Sequence, residues 1–152
     1  MAKGGPELLN DPVAESLLGS QIPARLAYTW KDGSPRVVPI WFHWTGSEIV
    51  MGTPPRAPKL HALKSGDRVA IAIDSNEWPY AALTIRGHAT VTENEGVVPE
   101  YAAAAMRYFG EEQGESWVAQ FPSDVHMYRI AVRPEVVTIL DFTTRFPSAL
   151  SP

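Results

Sequence analysis

Residues 32–44 read DGSPRVVPIWFHW, and this stretch predicts a strand-rich fold. Asp32 and Gly33 form a dipeptide that is typical of a tight hairpin turn. The apolar segments on either side of it predict a first strand over 25–30 and a second strand over 36–44. The second segment is almost entirely apolar and does not alternate with polar residues, so we expect both of its faces to be covered.

Glycine, proline and short polar stretches separate further apolar segments in the rest of the chain. Beyond the first hairpin, strands are predicted over 48–52, 68–74, 82–92, 127–132 and 135–141. Helices are predicted from Pro12 to Gly19, from Pro58 to about Ser65, over 98–109 and, as a single turn, over 115–121. Gly87 lies inside a predicted strand and is a candidate β-bulge. The succession of hairpins favours an antiparallel barrel over a series of βαβ units.

The length of 152 residues fits one domain over 1–152, with the first ten residues expected to be mobile. The chain has no cysteine, which excludes a disulfide scaffold, a catalytic thiol and a cysteine-ligated metal. Its net charge of −4 argues against general nucleic-acid binding. The N-terminus lacks the apolar core of a signal peptide, and no apolar run approaches the roughly 20 residues of a membrane span. We therefore expect a cytoplasmic protein with no nucleic-acid or membrane partner.

The sequence contains none of the common nucleotide-binding, hydrolase or zinc-protease motifs. Its four histidines are too far apart for a local metal motif, so we expect no metal site. They are His43, His61, His88 and His126. No side chain stands out as a nucleophile or as a paired acid and base. If the protein is an enzyme, we expect a bound cofactor rather than a catalytic side chain to carry the chemistry.

The clearest candidate binding segment is 53–68, TPPRAPKLHALKSGDR, which carries a net charge of +3 within an acidic chain. Thr53 contributes a hydroxyl, Arg56 a planar guanidinium, and Lys59 a point charge near a predicted helix start. Together these groups suit a phosphate, and three prolines would keep the segment ordered. The alternative that the sequence leaves open is a rigid surface connection whose cations face only water.

Two further features are compatible with a flat ligand. Pro39 cannot donate a hydrogen bond to a sheet, so its strand is an edge, a bulge or a segment whose backbone faces a ligand. Trp78 lies in a predicted loop, where it would stack on a flat ring, pack at a subunit interface or cover the core.

These features occur in an order that resembles the flavin-binding split β-barrel proteins related to pyridoxamine 5′-phosphate oxidase. The matching segments are ARLAYTW, DGSPRVVPIWFHW, EIVMGTPPRAPKLHAL, RVAIAID and ALTIRGHATV, with a weaker match through RIAVRPEVVTILDF. The chain is most similar to the small flavin and deazaflavin oxidoreductases of that superfamily. The resemblance implies a mainly β (α+β) fold, a six-stranded antiparallel split barrel with flanking helices, which works as a homodimer.

The resemblance also implies a cofactor, FMN or a deazaflavin coenzyme of the factor-420 type, in a groove at the dimer interface. The residues that it places at the phosphate are Arg36, Thr53, Arg56 and Lys59. The residues whose backbone it places along the ring are Val38, Pro39, Ile40 and Trp41. The residues that it places on the substrate side are Trp78, Phe142 and Arg145. In such proteins the cofactor transfers a hydride to or from a small organic substrate.

Two departures from the family bear on the chemistry. The oxidase that makes pyridoxal phosphate carries a longer C-terminal region with an arginine- and histidine-bearing motif, which this chain lacks, so we do not expect pyridoxine phosphate oxidation. Trp41 replaces the usual basic residue at the end of the second strand, which leaves room for a deazaflavin in place of FMN. The alternative function is non-catalytic storage or sensing of a flavin or of haem, with one of the histidines as haem ligand.

Overall fold

The computed structural model describes residues 1–145 and shows a mainly β structure with three α-helices. The strands are β1 (Ala2–Gly4), β2 (Ala24–Thr29), β3 (Pro35–Ile40), β4 (His43–Trp44), β5 (Ile49–Thr53), β6 (Arg68–Asp74), β7 (Ala81–Glu95), β8 (His126–Val132) and β9 (Val136–Asp141). The helices are α1 (Pro12–Leu18), α2 (Pro99–Phe109) and α3 (Glu111–Val118), and 3-10 turns occupy Pro6–Asn10 and Pro58–His61. All paired strands are antiparallel, as the hairpin pattern predicted.

The strand order is β3-β2-β6-β7-β8-β5-β4, with β9 paired to β7 and β1 paired to β9. β7 joins the two halves, because its residues through Arg86 pair with β9 and those from Ala89 pair with β8. Gly87 lies at this change of partner, where a Cβ atom would come within 2.4 Å of the carbonyl oxygen of Arg133. The glycine therefore permits a close backbone approach. It does not form the expected bulge, since it stays in register opposite Val69.

The main core lies between the sheet and α1. Asp11 begins this helix as predicted, and its side chain accepts a hydrogen bond from the Val13 N–H at 2.9 Å. Leu17 and Leu18 of α1 are buried against inward-facing residues of β6, β7 and β9. A smaller cluster packs the start of α2 against β5 and β8, and it consists of Val50, Val98, Met127 and Ala131. This second cluster fixes α2 beside the end of β5.

The first ten residues are part of the folded structure, which differs from the expectation that they are mobile. Ala2–Gly4 pair with β9, with Lys3 opposite Thr138. The following 3-10 turn buries Leu9, which is 4% exposed, in the main core. The sequence of this stretch is too short and too polar for its period to predict a strand.

The predicted second strand over 36–44 is divided in the structure. β3 ends at Ile40, and the chain then crosses to the other half of the sheet, where His43–Trp44 form β4. β3 is an edge strand, and Val37 is 65% exposed, so within this chain only one face of β3 is covered, whereas both were expected to be. The edge position agrees with the first of the alternatives for Pro39, because an edge tolerates a residue without an N–H.

Other differences concern short elements. Nine strands occur in residues 1–145, because β1 and β4, of three and two residues, add to the seven strands that the sequence predicted; the resemblance implied a barrel of six. The helix predicted from Pro58 to about Ser65 is only the 3-10 turn Pro58–His61, whereas the single turn predicted over 115–121 belongs to the longer α3. Within the described part of the chain, no helix is long and apolar enough to cross a membrane.

Candidate functional site

The candidate phosphate segment begins where β5 ends, at Thr53. Thr53 is buried, with 1% of its surface exposed, and Lys59 is half-buried. The Lys59 Nζ atom donates a hydrogen bond to the Thr53 hydroxyl oxygen at 3.0 Å. The structure therefore brings together two of the three residues that the sequence predicted for this segment, and it places the lysine ammonium over the end of β5.

The charge of Lys59 has no counter-ion among the described residues. Burial lowers the pKa of its ammonium group, because desolvation disfavours the charged form. An ammonium has three donors, and only the one to Thr53 is used within residues 1–145. Arg56 is exposed three residues earlier, also without a carboxylate partner in the described structure. The segment thus presents two cations without a carboxylate partner, of which Lys59 is half-buried and Arg56 is exposed.

Backbone hydrogen bonds hold the segment in place. The Ala57 N–H donates to the Pro54 carbonyl at 3.1 Å, and the Leu60 N–H donates to the Ala57 carbonyl at 3.0 Å. The single 3-10 turn that follows is too short to supply the helix dipole that the sequence analysis invoked. Side-chain charge, rather than a helix terminus, is therefore what this segment offers to an anion.

An apolar groove of about 320 Å³ lies next to the phosphate segment. Its lining consists of Pro23, Pro39, Ile40, Trp41, Gly52, Tyr101 and Trp117. Gly52 directly precedes Thr53 in β5, but neighbouring residues of a strand face opposite sides of the sheet, so the groove lies on the α2 side of β5 and the Thr53 side chain on the other. A Cβ atom on Gly52 would come within 2.7 Å of the Tyr101 Cβ, so the glycine allows α2 to pack closely here. The structure thus places three residues of the predicted ring segment, Pro39, Ile40 and Trp41, in one groove beside the end of β5.

Val38 is not part of the lining of this groove and packs against the main core, opposite Leu26 of β2. Its backbone nevertheless lies on the edge strand β3 next to Pro39. The ring role that the resemblance gave it concerned the backbone, and that role stays a prediction.

Arg36 and Trp78 lie apart from the groove within this chain. Arg36 is exposed, its guanidinium carbon 5.1 Å from the centre of the Trp30 ring. It lies four positions before Ile40 in β3, which corresponds to about 13 Å at ~3.3 Å per residue. Trp78 is 68% exposed and packs against Tyr80 and Phe142, at ring-centre distances of 5.5 and 5.7 Å. Their roles toward a cofactor stay predictions.

Arg145 has a structural role in this chain. Its Nε donates to Asp141 at 2.7 Å and its Nη1 donates to Asp11 at 2.8 Å, so it joins the end of β9 to the start of α1. Hydrogen bonds to Asp11 and then to Asp141 raise the pKa of the guanidinium. With these donors in ion pairs, Arg145 is a poor candidate for the substrate side, where the resemblance placed it.

The aromatic residues of α2 and α3 were missed by the sequence reasoning. Trp41 stacks on Tyr108 with 5.0 Å between ring centres and 16° between planes, and it also contacts Tyr101 and Phe109. Tyr101 and Tyr108 are seven residues apart, which places them on one face of a helix. That spacing was the available signal for an aromatic wall opposite Trp41.

The histidines are distributed over separate parts of the molecule. Burial lowers the pKa of His43, with Arg107 acting in the same direction and Glu100 opposing both. His88 lies 2.5 Å from Glu135, and His126 lies 3.1 Å from Glu93. No group of three or more His, Asp or Glu side chains in residues 1–145 is arranged to hold a metal ion.

Comparison with known proteins gives both a family and a set of similar folds. The family model described as "Pyridoxamine 5'-phosphate oxidase" matches residues 11–140. A solved structure titled "F420 Reductase" is 25% identical, covers 82% of this chain and 94% of its own, and has a TM-score of 0.60. No curated protein matches the chain in sequence.

Two further structures share the fold at lower identity. The FAD and heme binding protein from Mycobacterium smegmatis is 18% identical, with a TM-score of 0.59, over 97% of this chain and 76% of its own. HutZ, the heme storage protein from Vibrio cholerae, is 16% identical, with a TM-score of 0.57, over 83% of this chain and 92% of its own. At these identities the likeness concerns the fold alone.

Proposed function

The chain belongs to the pyridoxamine 5′-phosphate oxidase family of split β-barrel proteins, and from this premise we propose that it is a flavin- or deazaflavin-dependent oxidoreductase. The proposed cofactor is FMN or a deazaflavin coenzyme of the factor-420 type. When bound, such a coenzyme supplies hydride transfer, and the chain supplies its binding, orientation and protection from water. The proposed substrate is a small organic molecule.

The observation that carries this proposal is the half-buried ammonium of Lys59. A buried cation without a carboxylate is costly, and an arriving anion removes that cost. Lys59 keeps two donors beyond the one it gives to Thr53, and Arg56 adds a planar fork that suits a phosphate in a bidentate geometry. The donor set therefore fits the phosphate group of the proposed cofactor.

The neighbourhood of this segment fits the flat part of the cofactor. β3 is an edge strand, and the Pro39 region borders an apolar groove beside Gly52. We propose that the backbone from Val38 to Trp41 lies along the ring, as the resemblance implied, and that Thr53, Arg56 and Lys59 hold the phosphate. The similarity to the solved structure titled "F420 Reductase", which is 25% identical to this chain, supports a deazaflavin as the cofactor.

We also propose that the protein is a homodimer with the cofactor at its interface. The face of β2, β6, β7 and β9 that points away from the core carries small, partly exposed residues, among them Ala27, Ala70, Ala72, Thr84 and Thr138, and also the exposed arginines Arg25, Arg68 and Arg86. Beside them, Val37 of the edge strand is 65% exposed. Small side chains next to an exposed apolar edge support packing of a second copy against this part of the sheet.

The test is an equilibrium titration of cofactor-stripped protein with FMN, riboflavin, a deazaflavin coenzyme and haem, followed by fluorescence or absorbance. Riboflavin is the matched control, because it has the ring of FMN without the phosphate. We expect the phosphate-bearing form to bind at least tenfold more tightly than its phosphate-free ring, since one charge-assisted contact contributes about 1.5–3 kcal/mol. Sedimentation of the complex should give a dimer.

Two results would contradict the proposal. Equal affinity for FMN and riboflavin, with no deazaflavin binding, would show that the segment does not bind the cofactor phosphate. Saturable binding of haem alone, with a Soret shift that one histidine variant abolishes, would move the protein to the non-catalytic class of storage or sensing proteins.

A further inference from the structure

A recess of about 480 Å³ lies on the face of the sheet that points away from the main core. Its floor includes Ala27 of β2 and Ala70 of β6, which lie directly opposite each other in the paired strands. These small side chains, together with Gly87 of β7, leave the space above the sheet open. The recess shares no lining residue with the groove at Trp41, so it is a separate candidate site.

Two exposed arginines that line this recess have no carboxylate partner among residues 1–145. They are Arg68 of β6 and Arg86 of β7, and the register of the two strands makes them diagonal neighbours on one face. Such neighbours lie about 7–8 Å apart, so their like charges repel. Arg25 on the same face differs, because its Nη1 donates to Asp74 at 2.8 Å. The chain thus neutralises Arg25 and leaves the arginines of the recess to a ligand.

Glu135 also lines the recess, but it is paired with a histidine and not with an arginine. Its Oε1 lies 2.5 Å from the His88 Nδ1, and its backbone N–H donates to the Arg86 carbonyl at 2.9 Å. The contact with the carboxylate orients the imidazole and leaves its Nε2 atom for a further hydrogen bond. The recess therefore offers an anion two guanidinium groups and one imidazole nitrogen.

From these observations we propose that the recess binds a small organic oxyanion, a carboxylate or a phosphate ester, between Arg68 and Arg86. Guanidinium groups bind both kinds of oxyanion in a bidentate geometry. The volume lies within the range of roughly 300–1,000 Å³ that is usual for ligand pockets, so it can hold an organic molecule and not only an inorganic ion. Pro35 and Val136 in the lining supply apolar contacts for the carbon part of such a molecule.

The recess lies on the face that we propose for packing of a second copy. Its effect on the dimer therefore rests on the proposed function, whereas the binding of the oxyanion does not. Beneath a second copy, Arg68 and Arg86 would lose water, which is costly for cations without a carboxylate. A bound oxyanion removes this cost. Oxyanion binding should therefore strengthen the dimer, because a ligand shifts an equilibrium toward the state that binds it better.

The first experiment compares two oxyanions with uncharged molecules of similar shape at one ionic strength. The pairs are succinate with succinamide and glycerol 3-phosphate with glycerol. Their affinities are measured by NMR, with the side-chain Nε–H signals of ¹⁵N-arginine-labelled protein as the local readout. We expect an oxyanion to bind about tenfold or more tightly than its uncharged partner and to shift the signals of Arg68 and Arg86. The signal of Arg25 is the internal control and should not move.

The tighter of the two oxyanions identifies the ligand as a carboxylate or as a phosphate ester, and equal binding of both supports a site for either. If neither oxyanion binds more tightly than its uncharged partner, the proposal is overturned.

Variants test whether the oxyanion lies between the two arginines. Arg68→Gln/Arg86→Gln should weaken its binding about tenfold or more, whereas the matched control Arg25→Gln should change it less than about twofold. If the double variant does not fold, the two single variants carry the test. Unchanged affinity in a folded double variant would overturn the proposal.

Lys59→Gln separates this site from the proposed phosphate segment. Unchanged oxyanion affinity in this variant supports the recess. A loss as large as that of the double variant would place the oxyanion at the phosphate segment and overturn the proposal. If neither FMN nor a deazaflavin binds while the oxyanion still binds at Arg68 and Arg86, the recess stands as a ligand site and the cofactor proposal fails.

Sedimentation equilibrium measures the effect on the dimer. We expect the saturating oxyanion to lower the dimer dissociation constant of the unchanged protein and to leave that of Arg68→Gln/Arg86→Gln unchanged. If the oxyanion binds to a chain that stays monomeric, the recess stands and the homodimer proposal fails. If the oxyanion instead dissociates the dimer, the partner subunit occupies the recess and the proposal is overturned.

Discussion

Arg145 and Lys59 are both partly buried cations, and the structure surrounds them in opposite ways. Arg145 lies between two carboxylates, Asp11 and Asp141, and the resulting hydrogen bonds raise its pKa. Lys59 has only the hydroxyl of Thr53, and burial lowers its pKa. A cation whose charge is neutralised within the chain serves the fold, whereas one that the chain leaves unneutralised is suited to a ligand's charge.

Arg145→Ala should destabilise the protein without affecting the cofactor. Asp141 is only 4% exposed, so removing its partner leaves a buried carboxylate without a counter-ion. We expect the free energy of unfolding to fall by roughly 3 kcal/mol, near the lower end for breaking a buried pair. Urea denaturation measures this change, with Arg145→Lys as the control that keeps the charge. If the variant were as stable as the unchanged protein but had lost FMN affinity, Arg145 would contribute to ligand binding and not to stability.

Lys59→Gln should have the opposite profile. Glutamine keeps a donor near the Thr53 hydroxyl but removes the charge, so we expect the free energy of unfolding to change by less than about 1 kcal/mol. The affinity for FMN should fall roughly 10- to 100-fold, which corresponds to one lost charge-assisted contact. The two quantities are measured by denaturation and by titration. A large loss of stability with unchanged FMN affinity would show that Lys59 serves the fold.

The pH dependence of binding should reveal the lowered pKa of Lys59. A phosphate binds the charged form of the lysine, so affinity falls as the pH rises through the pKa of the free protein, which burial places below the ordinary value of 10.5. Lys59→Arg should keep its charge and its FMN affinity to higher pH. Riboflavin corrects for titration of the ring itself. If the FMN affinities of the unchanged protein and of Lys59→Arg depend on pH in the same way, titration of Lys59 does not control phosphate binding.

The smallest effect is expected for a paired cation on the surface. Arg25 donates to Asp74 at 2.8 Å, but their side chains are 50% and 44% exposed. Arg25→Ala should therefore lower the free energy of unfolding by only about 0.2–1 kcal/mol, and less at high salt. Denaturation at two salt concentrations checks this. A loss comparable to that of Arg145→Ala would mean that the ion pair itself, and not its burial, determines how much each of these arginines contributes to the free energy of unfolding.

The parts of the fold that the sequence predicted well depend on local signals. Asp11 begins α1 because its side chain bonds the nearby Val13 N–H, and β6 alternates between core and surface as its sequence does. The contact between Thr53 and Lys59 could also be predicted, because the two residues are only six positions apart in a proline-rich segment. Each of these features is set by residues close together in the chain.

The parts that the sequence did not predict depend on distant partners. β3 and β4 were expected to be one strand, since no local signal shows that β3 pairs with β2 while β4 pairs with β5. The wall of the groove at Trp41 comes from Tyr101 and Trp117, which are 60 and 76 residues further along the chain. The sequence also could not predict which cations lack a carboxylate partner, because Arg145 pairs with Asp11, which lies near the other end of the chain.

We propose that Arg56 and Lys59 lack a counter-ion within the described residues because they bind a cofactor phosphate. The most direct test measures FMN and riboflavin affinities for the unchanged protein, for Arg56→Ala/Lys59→Ala and for the control Lys64→Ala, whose Nζ bonds the Leu60 carbonyl in the same region. If the protein prefers the deazaflavin coenzyme, that coenzyme and its phosphate-free ring are used in place of FMN and riboflavin.

The double variant should lose roughly 100-fold or more of its affinity for the phosphate form, corresponding to two contacts of about 1.5–3 kcal/mol each. Its affinity for the phosphate-free ring should change less than threefold, and Lys64→Ala should leave both unchanged. Equal losses for the two ligands, or an undiminished affinity for the phosphate form, would contradict the claim.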